Sequence, residues 1–446
     1  MKLDNLREYM EQMSDAELKD ALQKLPTHEI IDHWNSLSEE EAGKLFLLFP
    51  LEKKVELITE LNHQDQEWLI KSLPLENIRE ILDAIDPDDL VDLVQQVSPE
   101  VRTSVWESLS TEAKQETQFL LRFDADDAAG LMTTRHVAIR SNITVGQALA
   151  FIRINARQVE TIYYVYVVDA LKRLQGVCSL RDLLFVDDAE RIADVMVDQV
   201  ISVSEDTDQE EVAKLLSTYD LIALPVVDSY GRLLGIVTFD DVFDVIQEEQ
   251  TEDIYKMSSM EGSVEPYTQS SVWRLVKKRV PWLIILLIAG TLTTNVISYF
   301  EPIIAAAGFL VWFVPVITQT GGNSGTQSST LMIRGIATGE IHFRDFAGIL
   351  VKESLVGLVM GLLLAGVIIL RGVYLPPGVL PEQAMAIGAA LLFVVVFSSI
   401  IGAFAPLVIH RLGFDPTVMA GPLMATAIDV MGLTIYFEAA RIILQL

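Results

Sequence analysis

The chain has 446 residues, half of them hydrophobic, with one cysteine and a formal net charge of −29. A lone Cys178 excludes an internal disulfide framework and any Cys-cluster metal site, and so acidic a surface argues against nucleic acid as a partner. The charge is uneven: residues 1–271 carry 54 acidic and 23 Lys/Arg residues, net −31, whereas residues 272–446 carry 8 and 10, net +2. An acidic, soluble half is therefore joined to an apolar one, and cations are its natural partners. The N-terminus is polar and has no signal-peptide core, so the acidic half is expected in the cytosol.

Residues 25–110 carry a 12-residue repeat: Leu25-Pro26, Leu37-Ser38, Phe49-Pro50, Leu61-Asn62, Leu73-Pro74, Ile85-Asp86, Val97-Ser98 and Leu109-Ser110. The apolar residue closes a short amphipathic helix, and the Pro, Ser, Asn or Asp after it caps the next. Paired helices of this kind stack into a superhelix. On its polar ridge Asp88 and Asp92 stand one turn apart and share a face.

A second repeat fills residues 131–250. The stretch from Met132 to Asp182 matches that from Met196 to Asp241, and each reads as strand, helix, buried strand (Tyr164–Val168; Leu224–Val227), turn, strand, helix. The recurring Gly-apolar-apolar-Ser/Thr-x-x-Asp segment, Gly176 to Asp182 and Gly235 to Asp241, resembles a tandem pair of CBS modules. That resemblance implies a ribose site at Ser179 and Asp182, and at Thr238 and Asp241, with Arg181 available to a phosphate. Two empty clefts serving only dimerisation are the other reading. Glu248, Glu249, Glu252 and Asp253 then form an acidic helix. If packed near Asp220, Asp240, Asp241 and Asp244, it would be repelled, and a divalent cation would bridge the carboxylates.

Five apolar spans are expected near 276–299, 303–335, 347–372, 384–410 and 415–444, each able to cover the ~20 residues of a bilayer crossing. Basic residues cluster at Arg274–Arg279, at Arg334, Arg344 and Lys352, and at Arg411, on alternate links. This places the N-terminus in the cytosol and the C-terminus outside. Thr320–Thr330 is too polar for lipid; it is a small-residue packing surface, a pore lining or re-entrant bend in which Asn323, Thr326 and Gln327 offer oxygens, or both together. Asp415 and Asp429 are 14 residues apart, near four turns, and are expected on one face of span five. A deep carboxylate such as Asp429 is functional by default, as a cation site or a proton relay.

With these motifs in place the chain resembles, along almost its whole length, the MgtE family of magnesium channels and transporters. Thr320-Gly-Gly-Asn-Ser-Gly-Thr-Gln-Ser328 and Asp415-Pro416 with Gly421-Pro-Leu-Met-Ala-Thr-Ala-Ile-Asp-Val430 carry the likeness. It implies a multidomain fold: an all-α superhelical N domain (1–129), an α/β tandem CBS pair (130–190 and 191–247), a connecting plug helix (248–274) and an all-α transmembrane bundle of five helices (275–446). It implies a Mg²⁺-selective channel of the bacterial inner membrane, closed by cytosolic Mg²⁺ and, in some members, tuned by ATP at the CBS pair. It also implies a homodimer in the lipid bilayer, with Asp429 and the Ala425 backbone holding hydrated Mg²⁺ and Asp415 at the cytosolic mouth. Regulatory Mg²⁺ would fall on Asp88, Asp92, Gly130, Glu210, Asp220, Asp241, Asp244, Glu249, Glu252 and Asp253. Two positions depart from the pattern: Thr326 stands where Asn is frequent, and Gly421 where some members carry a polar residue. A divalent-cation/H⁺ exchanger and a membrane-anchored nucleotide sensor stay open as alternatives. An enzyme is not expected, since neither a phosphate-binding G-x-x-x-x-G-K-[ST] loop nor a nucleophile–base set occurs.

Overall fold

The computed structural model describes residues 18, 19, 22, 24–34, 36–156, 158–260, 270–419 and 421–446. The chain divides into two units, Met1–Ile246 and Gln247–Leu446.

The first unit begins with eight helices among the described residues: α1 (Thr27–Trp34), α2 (Glu39–Leu48), α3 (Leu51–Glu60), α4 (His63–Ser72), α5 (Leu75–Leu82), α6 (Pro87–Gln96), α7 (Pro99–Ser108) and α8 (Thr111–Leu120). Their starts are 12 residues apart, as the repeat requires. Ser38, Asn62 and Ser110 accept backbone N–H groups at N-caps, and Pro87 and Pro99 occupy first turns, where no donor is lost. The apolar residue of each repeat caps its helix from the core side: Phe49, Leu61, Leu73, Ile85, Val97 and Leu109 are all buried in one cluster.

Next come two copies of a three-stranded sheet. The first contains β1 (Ala138–Ile139), α9 (Val145–Asn155), β2 (Tyr164–Val168), β3 (Leu174–Ser179) and α10 (Leu180–Phe185). A short α11 (Ile192–Val195) leads to β4 (Val203–Ser204), α12 (Gln209–Thr218), β5 (Ala223–Val227), β6 (Leu233–Thr238) and α13 (Phe239–Met257). In each copy the first strand is parallel and the third antiparallel to the second. The copies exchange their leading segments: Thr133 bridges to Ile236 on β6, and Val197 bridges to Val177 on β3. This explains the glycine of the motif. A Cβ on Gly176 would lie 2.7 Å from the Met196 sulfur, and one on Gly235 would lie 2.9 Å from the Met132 sulfur and 2.6 Å from the Thr133 carbonyl. The expected separate connecting helix is not found as such. Its acidic residues continue the closing helix of the second copy, because nothing between Phe239 and Met257 breaks a helix, and its residues 261–269 lie outside the described ones.

The helical unit contains α14 (Val272–Tyr299), α15 (Glu301–Ala306), a 3₁₀ segment (Gly308–Phe313), α16 (Val314–Ala337), α17 (Phe346–Tyr374), α18 (Pro381–Arg411), a 3₁₀ turn (Pro416–Met419) and α19 (Gly421–Leu444). Three helices among the described residues, Val272–Tyr299, Phe343–Tyr374 with its leading 3₁₀ turn, and Pro381–Arg411, are long and apolar enough to cross a membrane. α16 and α19 have 24 residues each, about 36 Å at 1.5 Å per residue. Two expected spans are corrected. The stretch 303–335 is broken at Ala307, where ψ is 64° and the helix stops before Gly308, and it restarts with Pro315 in the first turn of α16. The stretch 415–444 begins as a 3₁₀ turn, and helix α19 starts only at Gly421, whose φ is +54°.

Small residues let these helices approach closely. α17 lays the stripe Glu353, Gly357, Gly361, Ala365, Ile368, Gly372 inward, and a Cβ on Gly357 would lie 3.0 Å from Val396 Cα of α18. At the α16–α18 crossing a Cβ on Gly402 would lie 2.2 Å from the Gly325 carbonyl oxygen. Gly402→Val is therefore expected to lower the thermal midpoint of the protein in detergent by roughly 5 °C or more. Gly366→Val, with open space around its Cβ, should leave it unchanged; equal midpoints would refute the crossing.

Candidate functional site

Two places concentrate chemistry, one in each unit. In the first unit α6 carries Asp88, Asp89 and Asp92 in its opening turns, and Val91 on the same helix packs into the core of the second sheet copy. This seats the acids against Asp240 and Asp241 at the start of α13. Burial, followed by the charges of Asp241 and Asp89, holds the Asp88 carboxyl well above the carboxylate range. Asp241 is pushed up to about 6, by burial first, although the Thr238 hydroxyl hydrogen-bonds it. Asp89 remains open to solvent on one side, yet loss of hydration and then Asp241 raise it to about 7. Sequence reasoning passed over Glu160, which lies in the loop before β2. Burial and then Asp86 raise it as well. Asp86 is itself paired with Arg135 at 2.7 Å. Asp88 Oδ1 and Glu160 Oε2 are shut off from solvent and have no hydrogen-bond partner. Two orphaned, buried carboxylate oxygens suit a hard cation with oxygen ligands. Among the described residues no three His, Cys, Asp or Glu side chains converge in ligating geometry, so the acids are crowded rather than arranged around an ion.

The other expected regulatory residues are spread out. Asp92 is open to solvent on one side, and loss of hydration on the other raises it. Asp244 is raised by burial and by Asp240, and its charge reaches Glu60 of α3. Gly130 lies beneath the Asp124 carbonyl, where a Cβ would stand at 2.2 Å; its loop places Asp127 opposite Asp208. Glu210 is exposed on α12, and exposed Asp220 adopts φ +52° just after it. Glu249, Glu252 and Asp253 lie further along α13, in the other unit.

The nucleotide residues differ between copies. Ser179 caps α10 and donates to Asp182 Oδ2 at 2.6 Å, with Arg181 and Asp182 exposed. Thr238 is 4 % exposed and is bound to Asp241. Only the first copy presents its Ser/Asp pair openly.

In the helical unit, α16 buries Gly321, Gly322, Ser324, Gly325, Ser328 and Ser329 and leaves Asn323, Gln327 and Thr330 exposed, with Thr326 half-buried. One face of this run is thus the small-residue packing surface, and its polar side chains are on the other. Gly322 and Ala425 are in van der Waals range, so α16 and α19 run side by side there. Asp429, one turn beyond Ala425, is half-buried and has no hydrogen bond or ion pair among the described residues. Asp415 does not share its helix, contrary to expectation, because Pro416 and Gly421 delay the start of α19. Its Oδ1 accepts the Thr417 backbone N–H at 2.8 Å, and its Oδ2 lies 2.9 Å from Lys256 Nζ. Lys256 also holds Glu252 at 2.8 Å, and these bonds keep its ammonium charged against partial burial. Burial and then Asp415 push Asp253 up. A lysine thus stands among carboxylates that the sequence reading assigned to a metal. The departure at Gly421 has a reason too: its φ is positive, and a Cβ would lie 2.4 Å from the Met257 carbonyl oxygen.

Comparison with known proteins follows the same division. The profile of the divalent cation transporter family MgtE matches residues 314–439, that of the MgtE intracellular N domain matches residues 25–126, and that of the CBS domain matches residues 192–248. The magnesium transporter MgtE of Thermus thermophilus is 39% identical over 446 residues, 99% of this chain and 98% of that protein. The magnesium transporter MgtE of Enterococcus faecalis is 34% identical over 91% of this chain and 94% of its own length. A crystal structure of the cytosolic domain of the Mg²⁺ channel MgtE in complex with ATP is 40% identical, covers 54% of this chain and 98% of that one, and superposes with a TM-score of 0.52.

Raised carboxylates bind more protons folded than unfolded, so stability is full below about pH 4 and falls as pH rises toward about 7. For Asp241 alone the shift corresponds to roughly 3 kcal/mol. In chelator, the unfolding midpoint of the first unit's transition in the full-length protein should drop between about pH 4 and 7, and millimolar Mg²⁺ should remove the drop. A flat profile in chelator would refute the crowding.

Proposed function

Since the chain belongs to the MgtE family of divalent cation transporters, we propose that it passes Mg²⁺ across the bacterial cell membrane along a path lined by α16 and α19, and that Mg²⁺ on its acidic unit closes that path. Membership in a transporter family also sets the enzyme reading aside. One observation carries the proposal: α16, with its exposed polar residues Asn323, Gln327 and Thr330, meets α19 at Gly322 and Ala425, one turn from the unpartnered Asp429. Neither feature can face lipid without a cost of several kcal/mol, and a second copy of the chain would enclose both. Asp429 from each copy, with the Ala425 carbonyl nearby, would then hold a hydrated Mg²⁺, an ion that gives up its water reluctantly. The ion in turn neutralises the two carboxylates.

In this reading α14, α16, α17, α18 and α19 cross the membrane, with the N-terminus in the cytosol and the C-terminus outside, as the alternating basic links require. Residues 1–129 form the superhelical domain, 130–190 and 191–247 the CBS modules, and 248–274 the connector to the 275–446 bundle. Mg²⁺ entering among Asp88, Asp89, Asp241 and Glu160 removes a like-charge repulsion of about 4 kcal/mol per close pair at an effective dielectric near 20. Asp92, Gly130, Glu210, Asp220 and Asp244 extend the regulatory surface of this unit, and Glu249, Glu252 and Asp253 offer further Mg²⁺ ligands on the continuation of α13, so that bound ions favour closure. ATP is a ligand of the first CBS copy at Ser179, Arg181 and Asp182. Thr238 is buried, which leaves the second copy less suited.

In proteoliposomes, Asp429→Ala should abolish Mg²⁺ uptake while elution as a dimer in detergent is retained; uptake at the wild-type rate would remove Asp429 from the path. Uptake driven by a proton gradient at zero Mg²⁺ driving force would favour an exchanger. In patches, Asp88→Asn with Asp241→Asn should leave the channel open at Mg²⁺ concentrations that close the wild type; unchanged closure would end the sensor assignment.

A further inference from the structure

Among the described residues no other Asp, Glu, Lys or Arg is as little exposed as Glu353, at 7 %. It sits about 11 Å into α17, at the end of the small-residue stripe that packs on α18. The neighbouring Lys352 is exposed on another face, and Glu353 makes no ion pair among the described residues. Its Oε2 accepts a hydrogen bond of 2.7 Å from the Ser328 hydroxyl on α16, and Ser328 is 4 % exposed. A carboxylate is far more costly to bury there than an apolar side chain of similar size. Packing alone would be served as well by Leu, so the position needs an acceptor.

That acceptor controls α16. Ser328 follows Gln327 directly, and successive helical residues point about 100° apart. Holding Ser328 inward turns Asn323, Gln327 and Thr330 out of the bundle. One turn earlier, Ser324 Oγ meets Ser399 Oγ of α18 at 3.0 Å on the same buried face. The two bonds fix the rotation of the polar run, and the one to a carboxylate is the stronger kind.

We propose that Glu353 is a positioning residue of the permeation path, whose Oε2, bound by Ser328, holds α16 at the rotation that presents Asn323 and Gln327 to the ion. This rests on the path assigned above. The test is Mg²⁺ uptake by the full-length protein in proteoliposomes as a function of Mg²⁺ concentration. Glu353→Leu and Ser328→Ala should each raise half-saturating Mg²⁺ by about 5-fold or more, whereas Glu353→Gln, which keeps an acceptor, stays within about 2-fold of wild type. The double variant Glu353→Leu/Ser328→Ala should be no worse than the worse single one. A purely structural role lowers maximal uptake and leaves half-saturation alone; that result, or Glu353→Gln failing as badly as Glu353→Leu, overturns the proposal. If Glu353→Leu does not elute as a single species, Ser328→Ala and Glu353→Gln decide it by the same criteria. Asn323→Ala with Gln327→Ala is the control for the path. If it leaves half-saturation unchanged, the path assignment fails; if it shifts half-saturation and Ser328→Ala does not, only the role of Glu353 falls.

Discussion

A carboxylate removed from water has to meet a cation, a donor or a proton, and this chain sets that problem in each of its units and answers it differently each time. Asp88 and Glu160 keep oxygens with no partner at all. Asp415 is met by a lysine of α13, and Glu353 by a serine of α16. Asp429 on α19 is left half-buried, with no ion pair or hydrogen bond among the described residues. Asp415 and Glu353 each tie two elements together through their partners, whereas the acids without one keep their electrostatic cost unmet.

The scaffold explains why the unpartnered acids are tolerated. A repeat of 12 residues gives the N-terminal helices a continuous apolar core, which leaves the polar ridge of α6 free to carry three aspartates. The exchanged segments of the two sheet copies, held by Gly176 against Met196 and by Gly235 against Met132, fix the start of α13 and so the position of Asp241. In the bundle, glycine contacts at Gly325 and Gly402 bring α16 and α18 close enough for hydroxyl pairs to lock the helix. Each acidic site is strained electrostatically but sits on elements whose packing is not.

Lys256 changes how the connector is understood. The acidic run suggests carboxylates waiting for a divalent ion, yet one ammonium bridges Glu252 and Asp415, and the Met257 carbonyl presses on Gly421. The end of α13 is thus joined to the entry of α19 by the chain's own charge. A divalent ion acting there has to add to this bridge or displace it.

Much was legible in the sequence because the signals are periodic or chemically costly. The 12-residue caps, the duplicated strand–helix units and the family likeness need no tertiary information: cap residues, alternation and motif spacing each carry their meaning locally. Tertiary structure alone decided the rest. Helical spacing could not reveal that Asp415 leaves α19, since Pro416 and the positive φ of Gly421 act through backbone conformation. Nor could it find Glu160, 72 residues after Asp88 along the chain, or the partner of Glu353, because burial and charge crowding are properties of the packed molecule. Residue types set which groups need a partner; only the fold determined which of them got one.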